Sequence, residues 1–189
     1  RSSKGIGRDR VAVHKKEIRV TEQLTFGSLF AGIGGFDLGF ERAGMVCKWQ
    51  IENSPTRRKL LRHKFPDAVL YDDVRTAQPE SVDVICGGFP CQDISIAGKA
   101  AGIDGEKSGL WTEFIRLINE VRPQYAILEN VRGHLSMGGT TVIGELAEIG
   151  YDAEWRVVSA AGLGAPHRRD RIIIVAYPNS SNTTDGGQR

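Results

Sequence analysis

From residue 24 onward the chain alternates between two hydrophobic periods. Short apolar runs of strand type lie at 24–30 (LTFGSLF), 46–52 (VCKWQIE), 68–70, 82–86 (VDVIC), 125–129 (YAILE), 153–158 and 172–177. Between them helices are expected over 36–43, 56–64, 110–121 and 140–149, and over 110–121 (LWTEFIRLINEV) the apolar residues recur at helical spacing. Strands that alternate with helices predict an α/β fold, a mostly parallel sheet with helices on both faces. In such sheets ligands bind beyond the carboxyl ends of the strands. Phe30, Glu52, Asp73, Pro90, Cys91 and Glu129 come from different strands but all fall at or just past a strand end. The pattern therefore gathers them along one edge of the sheet.

Composition narrows the class. A chain of 189 residues with 40% hydrophobic and 25% charged residues can build one domain with a substantial core. No apolar run approaches the roughly 20 residues of a membrane span, and the basic N-terminus leads into no apolar signal core. Cys47, Cys86 and Cys91 are odd in number and unrelated in spacing, which fits a reducing cytoplasm better than a disulfide scaffold. Without a CxxC pair, no structural metal is expected. The net charge of +2 is uneven: residues 1–20 carry seven basic residues against two acids. That leader either meets phosphates or is a solvated tail. After Tyr177 the composition turns to PNSSNTTDGGQR, a linker-like tail. The expected organisation is a basic leader over 1–20, a folded core over 21–178 and a tail over 179–189.

The chemistry-bearing residues sit at the turns. FAGIGG (30–35) joins the first strand to the first helix, and its glycines allow a tight turn close to a ligand. Glu52 ends the second strand about 20 residues on, where an acid can grip ribose hydroxyls. Asp73 follows the third strand and can accept a hydrogen bond from an adenine amino group. Together they suggest a nucleoside-containing cofactor. Ordinary strand–helix packing and a nicotinamide dinucleotide are the alternatives, but the latter gives no use to a reactive cysteine. GGFPCQDIS (87–95) leaves a buried strand through two glycines and a proline and presents Cys91 just beyond it. A nucleophilic cysteine acts as thiolate and needs partial exposure and nearby cations. Arg169 and Arg171 in HRRDR (167–171) are the candidates, and as alternate residues of an extended segment they should share a face. Glu129, in LENV, ends the fifth strand, where partial burial can raise a carboxyl pKa and suit it to proton donation. Taken singly, Cys91 also reads as a buried filler, Glu129 as a structural acid and the arginines as a solvated cluster.

GSLFAGIGGFDLGFERAG, WQIEN, GGFPCQDIS, LENV and HRRDR, in this order and spacing, resemble the successive motifs of the cytosine-5 DNA methyltransferase family. The resemblance covers residues 24–177. It implies a Rossmann-like S-adenosylmethionine-dependent methyltransferase fold, with Phe30, Gly32 and Gly34 wrapping the cofactor, Glu52 holding the ribose and Asp73 the adenine. It implies that Cys91 attacks carbon 6 of cytosine, that Glu129 holds N3 and its proton, and that Arg171, supported by Arg169, binds the oxygen at carbon 2. The partner would be double-stranded DNA with the target base flipped out. The glycine-bearing loop over 95–109, with Lys99 and Lys107, would close over it. The family's target-recognition region and two later motifs have no counterpart before Arg189. The chain thus looks like a catalytic core, either a fragment, a subunit completed by a C-terminal recognition subunit, or a degenerate copy. A tRNA cytosine-5 methyltransferase, a catalytically dead binding module and a dinucleotide oxidoreductase are the rival readings.

Overall fold

The computed structural model describes residues 23–89, 109–131 and 139–179. Seven strands form one sheet in the order β3-β2-β1-β4-β5-β7-β6. In chain order the elements are β1 (Thr25–Leu29), α1 (Gly35–Arg42), β2 (Val46–Ile51), α2 (Pro55–Lys64), β3 (Val69–Tyr71), β4 (Val84–Gly88), α3 (Gly109–Val121), β5 (Tyr125–Val131), α4 (Gly139–Glu148), β6 (Tyr151–Ser159) and β7 (Asp170–Pro178). Strands β1 to β5 run parallel to their neighbours. β7 is antiparallel to both β5 and β6. This reversal matters for the site: it brings the first residues of β7 to the edge where β1, β2, β4 and β5 end.

Each face of the sheet is closed by an apolar cluster. On one side Trp111, Phe114, Leu117, Ile118 and Val121 of α3, spaced i, i+3, i+6, i+7, i+10, pack with Val142 and Leu146 of α4 on Leu29, Ile85, Ala126, Leu128 and Ile174. On the other side Phe26, Val84 and Cys86 meet Leu61 and Phe65, with Phe36 and Phe40 of α1 packed against them. Cys86 is fully buried, a filler inside its strand. α2 starts where Ser54 accepts the Arg57 amide and Pro55 occupies the first turn. Asp83 fastens the base of β1 by accepting both the amide and the hydroxyl of Thr25, each at 2.8 Å. Those hydrogen bonds, the amide first, hold its carboxyl below the ordinary value.

Two strand ends differ from the sequence pattern. β4 covers Val84–Gly88 and so contains both glycines, and β5 runs on to Val131, which places Glu129 inside the strand instead of at its end. In both cases pairing across the sheet extends the strand past its apolar run: Gly88 pairs with Glu129, and Val131 with Arg171.

Candidate active site

The first half of the site is the turn after β1. Phe30 has φ 54°, a left-handed conformation uncommon for a bulky residue, and costs on the order of 1 kcal/mol there. Gly32 (φ 60°) and Gly34 (φ 82°) complete the turn. Gly34 has a second reason to be glycine, since a Cβ there would lie 2.6 Å from the Phe65 ring. The turn is tied to β2 by the Ala31 amide donating to the Ile51 carbonyl at 3.0 Å. Phe30 packs obliquely on Phe114, with ring centroids 6.2 Å apart.

Glu52 is almost fully buried (3% exposed), one residue past β2. One carboxylate oxygen accepts the Gly32 amide at 2.9 Å; the other accepts the Ser54 amide at 2.9 Å and the Arg57 guanidinium at 3.3 Å. The carboxylate is thus a brace for the glycine turn as well as a group facing the cleft. Asp73 lies beyond β3, where its Oδ1 accepts the Arg75 amide at 3.0 Å and its carbonyl accepts the Ala77 amide. Phe30, Glu52, Asn53, Asp73, Val74, Gly88 and Leu110, with Arg57, Arg58 and Arg75, line one cleft of about 540 Å³. That is the size range of small-molecule sites. The three arginines were not singled out from sequence: on a helix and a loop they look like ordinary surface charge.

The second half is built by β4, β5 and β7. Glu129 projects from β5 beside Gly88, and a Cβ at 88 would come within 2.8 Å of its Oε2. The absence of a side chain on Gly88 is what leaves the carboxylate its space. Arg171 reaches across from β7 and pairs with Glu129, Nε to Oε1 at 2.5 Å. Both are about a quarter exposed, so the pair is sheltered but open to a ligand. Glu129 is partly buried, as expected, and is paired with a guanidinium. Arg169 is exposed, ahead of β7, its carbonyl accepting the Ala160 amide. Asn130, buried behind Glu129, donates its side-chain amide to the Phe89 carbonyl at 3.2 Å and accepts the Val131 amide at 2.8 Å. It anchors the residue from which the chain enters Pro90-Cys91. Gly88 and Asn130 are the parts the sequence reading did not assign; each stands next to a residue it did assign. Pro90, Cys91 and most of the 95–109 loop, with Lys99 and Lys107, lie outside the described residues, as do the leader over 1–20 and residues 180–189.

Phe30, Gly32, Gly34, Glu52 and Asp73 thus share one end of the edge, and Glu129 and Arg171 the next, with Gly88 touching both. A cleft braced by an acid and a carboxylate–guanidinium pair can hold a polar organic cofactor beside a heterocycle that gains charge.

Comparison with known proteins agrees with that arrangement. The profile of the family described as C-5 cytosine-specific DNA methylase matches residues 24–187. The chain is 39% identical over 166 residues to the Type II methyltransferase M.Bsp6I of Bacillus sp. (strain RFL6), covering 82% of this chain and 53% of that protein. It is 37% identical over 161 residues to the Type II methyltransferase M2.BsuMI of Bacillus subtilis (strain 168), covering 79% and 41%. Spodoptera frugiperda DNMT2 shares the fold, with a TM-score of 0.69 at 21% identity over 88% of this chain and 53% of that one. The chain spans about half the length of the curated relatives it matches. With 164 of its residues inside the family profile, this chain belongs to the C-5 cytosine-specific DNA methylase family.

Proposed function

We propose that this chain is the catalytic core of an enzyme that methylates carbon 5 of cytosine in DNA. The observation that carries the reading is the Glu129–Arg171 pair, given room by Gly88 and set on the same edge as the Glu52 cleft. The residues of that cleft fit S-adenosylmethionine: a left-handed glycine turn gives close backbone approach, Glu52 faces the position of a ribose, and Asp73 keeps Oδ2 for an adenine amino group. Bound there, S-adenosylmethionine supplies an electrophilic methyl group.

The chain's own residues prepare the base. Cys91 as thiolate adds to carbon 6 of a flipped-out cytosine and forms a carbon–sulfur bond. Glu129 holds the proton at N3, and Arg171 faces the oxygen at carbon 2, so the electron pair released into the ring is stabilised while carbon 5 becomes nucleophilic. Once carbon 5 carries the methyl group, loss of its proton and departure of the Cys91 sulfur restore the aromatic ring. Arg169, exposed two residues before Arg171, supports it in facing the oxygen at carbon 2.

Labelled methyl transfer to duplex DNA tests the proposal. Activity is expected with wild-type protein and none above background with Cys91→Ser. Duplexes carrying 5-fluorocytosine should become covalently attached, because fluorine replaces the proton that must leave. Transfer to tRNA instead of DNA would move the chain to the RNA-modifying reading, and transfer that survives loss of Cys91 would overturn the mechanism. Glu52→Gln should raise the KM for S-adenosylmethionine by about tenfold, the equivalent of roughly 1.4 kcal/mol, with a smaller change in kcat. An unchanged KM would remove Glu52 from the cofactor site.

A further inference from the structure

Beneath the glycine turn lies a second carboxyl that the reaction does not use. Asp37, in the first turn of α1, is completely buried, and its side chain points down into the sheet. Its Oδ1 accepts the Gln50 side-chain amide at 2.7 Å and lies 3.8 Å from the Cys47 sulfur. Its Oδ2 is 3.2 Å from the Ser28 hydroxyl. Ser28 belongs to β1 and Gln50 to β2, and the two are paired across the sheet. Two residues further along the same strands, Phe30 and Glu52 line the cofactor cleft. Asp37 therefore joins the strands one step below the place where Glu52 and the Gly32 amide join them above.

A sheet irregularity serves this cluster. The register steps from Phe26–Cys47 to Gly27–Trp49, so Lys48 is an extra residue in β2. Bulges are rare between parallel strands. This one reverses the alternation: Cys47 and Gln50, three residues apart, both come to the face of Asp37, while Trp49 stays on the other. Without it, either the thiol or the amide would point away from the carboxyl.

We propose that Asp37 is a positioning residue for the cofactor cleft: its carboxyl fastens β1 to β2 beneath the glycine turn and thereby sets the affinity for S-adenosylmethionine. The inference rests on the proposed cofactor. The buried site of Asp37 shifts its acid–base balance towards the neutral form. Burial, the largest influence, pushes its pKa up, and the bonds from Gln50 and Ser28 oppose this only in part. Among the described residues, the groups recorded around it include no cation. Ser28 comes from β1, Cys47 and Gln50 from β2, Cys86 from β4 and Glu41 from its own helix, and both thiols are themselves held protonated by burial. The Ser28 hydroxyl donates to Oδ2 and the Gln50 amide to Oδ1. Asparagine keeps an oxygen to accept from Gln50 and places an amide nitrogen that can donate to the Ser28 oxygen.

The sign of the pH effect follows. A carboxyl whose folded pKa lies above its unfolded value, near 3.8, stabilises most below that value. The contribution is lost as pH rises towards the folded pKa. Asn has no such loss, so the melting temperature of Asp37→Asn should rise relative to wild type from pH 4 upward, until the folded carboxyl has titrated.

The test combines calorimetric titration with S-adenosylmethionine and thermal melts from pH 4 to 9. Asp37→Asn should bind within about twofold of wild type, since it keeps a hydrogen-bond partner for both Gln50 and Ser28. Asp37→Ala should raise Kd about tenfold or more, roughly 1.4 kcal/mol per tenfold, with kcat at saturating cofactor changed less. Ser28→Ala, a smaller disturbance, should raise Kd severalfold and serves if Asp37→Ala does not fold. Loss of binding in Asp37→Asn, or normal binding in both Asp37→Ala and Ser28→Ala, would overturn the inference. Wild-type protein that binds no S-adenosylmethionine would overturn the cofactor reading instead, while the pH-dependent melts would still report the state of Asp37.

Discussion

Glu129→Gln should lower kcat by about a thousandfold, in the middle of the range for a lost general acid or base, and leave the fold standing. Glutamine matches glutamate in shape and keeps an oxygen to accept from Arg171, so β5 and β7 remain paired. What it loses, on the proposed mechanism, is the ability to hold a proton at N3 of the base. Since that interaction matters most once the ring is attacked, kcat should fall and the KM for cofactor stay near wild type. Two further variants show whether the pair acts as a unit. Gly88→Ala places a methyl group 2.8 Å from Glu129 Oε2 and should displace the carboxylate; because Gly88 also lines the Glu52 cleft, the KM for cofactor is read beside kcat. Arg171→Lys keeps a charge but not the planar fork that, on the proposed mechanism, reaches both Glu129 and the oxygen at carbon 2 of the base. If the two residues cooperate, Glu129→Gln combined with Arg171→Lys should cost little more than the worse single change. Steady-state rates on duplex DNA decide it. A Glu129→Gln enzyme within about tenfold of wild type would remove Glu129 from the chemistry.

Gly27→Ala should have the largest effect on stability, about 3 kcal/mol or more, at the upper end for overpacking a core. A methyl group at 27 would fall 2.1 Å from two atoms of the Trp49 indole. The ring has no room to retreat: Trp49 is fully buried, and its indole N–H donates to the Glu80 carbonyl at 3.0 Å. In a chain of this size each kcal/mol shifts the melting temperature by about 2–4 °C, so a drop of around 10 °C is expected. Trp49→Phe removes the part of the ring that meets the new methyl and should restore part of the loss in the double variant. An unchanged melting temperature in Gly27→Ala would mean that the indole does not lie over β1 as described.

The same comparison separates what the chain says locally from what it does not. Among the described residues, short apolar runs located the seven strands and the segments between them the four helices, α3 most directly, because burial on one face is written in neighbouring residues: Trp111, Phe114, Leu117, Ile118 and Val121 share a stripe wherever α3 packs. It also brought Phe30, Glu52 and Asp73 to one edge, since parallel strands must all end on the same side. The motifs around them named the family. Other features had no local sign. Asp37 sits in a helix first turn, where acids are common, and only the sheet beneath it makes it a buried clamp. The extra residue at Lys48 is invisible in VCKWQI until β1 lies beside it. Gly88 looked like part of a turn, but its lack of a side chain makes room for an acid 41 residues later. The sequence by itself determined the elements, their order and the edge at which chemistry would be found, because these follow from period and from neighbouring residues. The pairing of Glu129 with Arg171, of Glu52 with the Gly32 amide and of Asp37 with Ser28 and Gln50 was decided by the tertiary structure, because each depends on which strands lie side by side in the sheet.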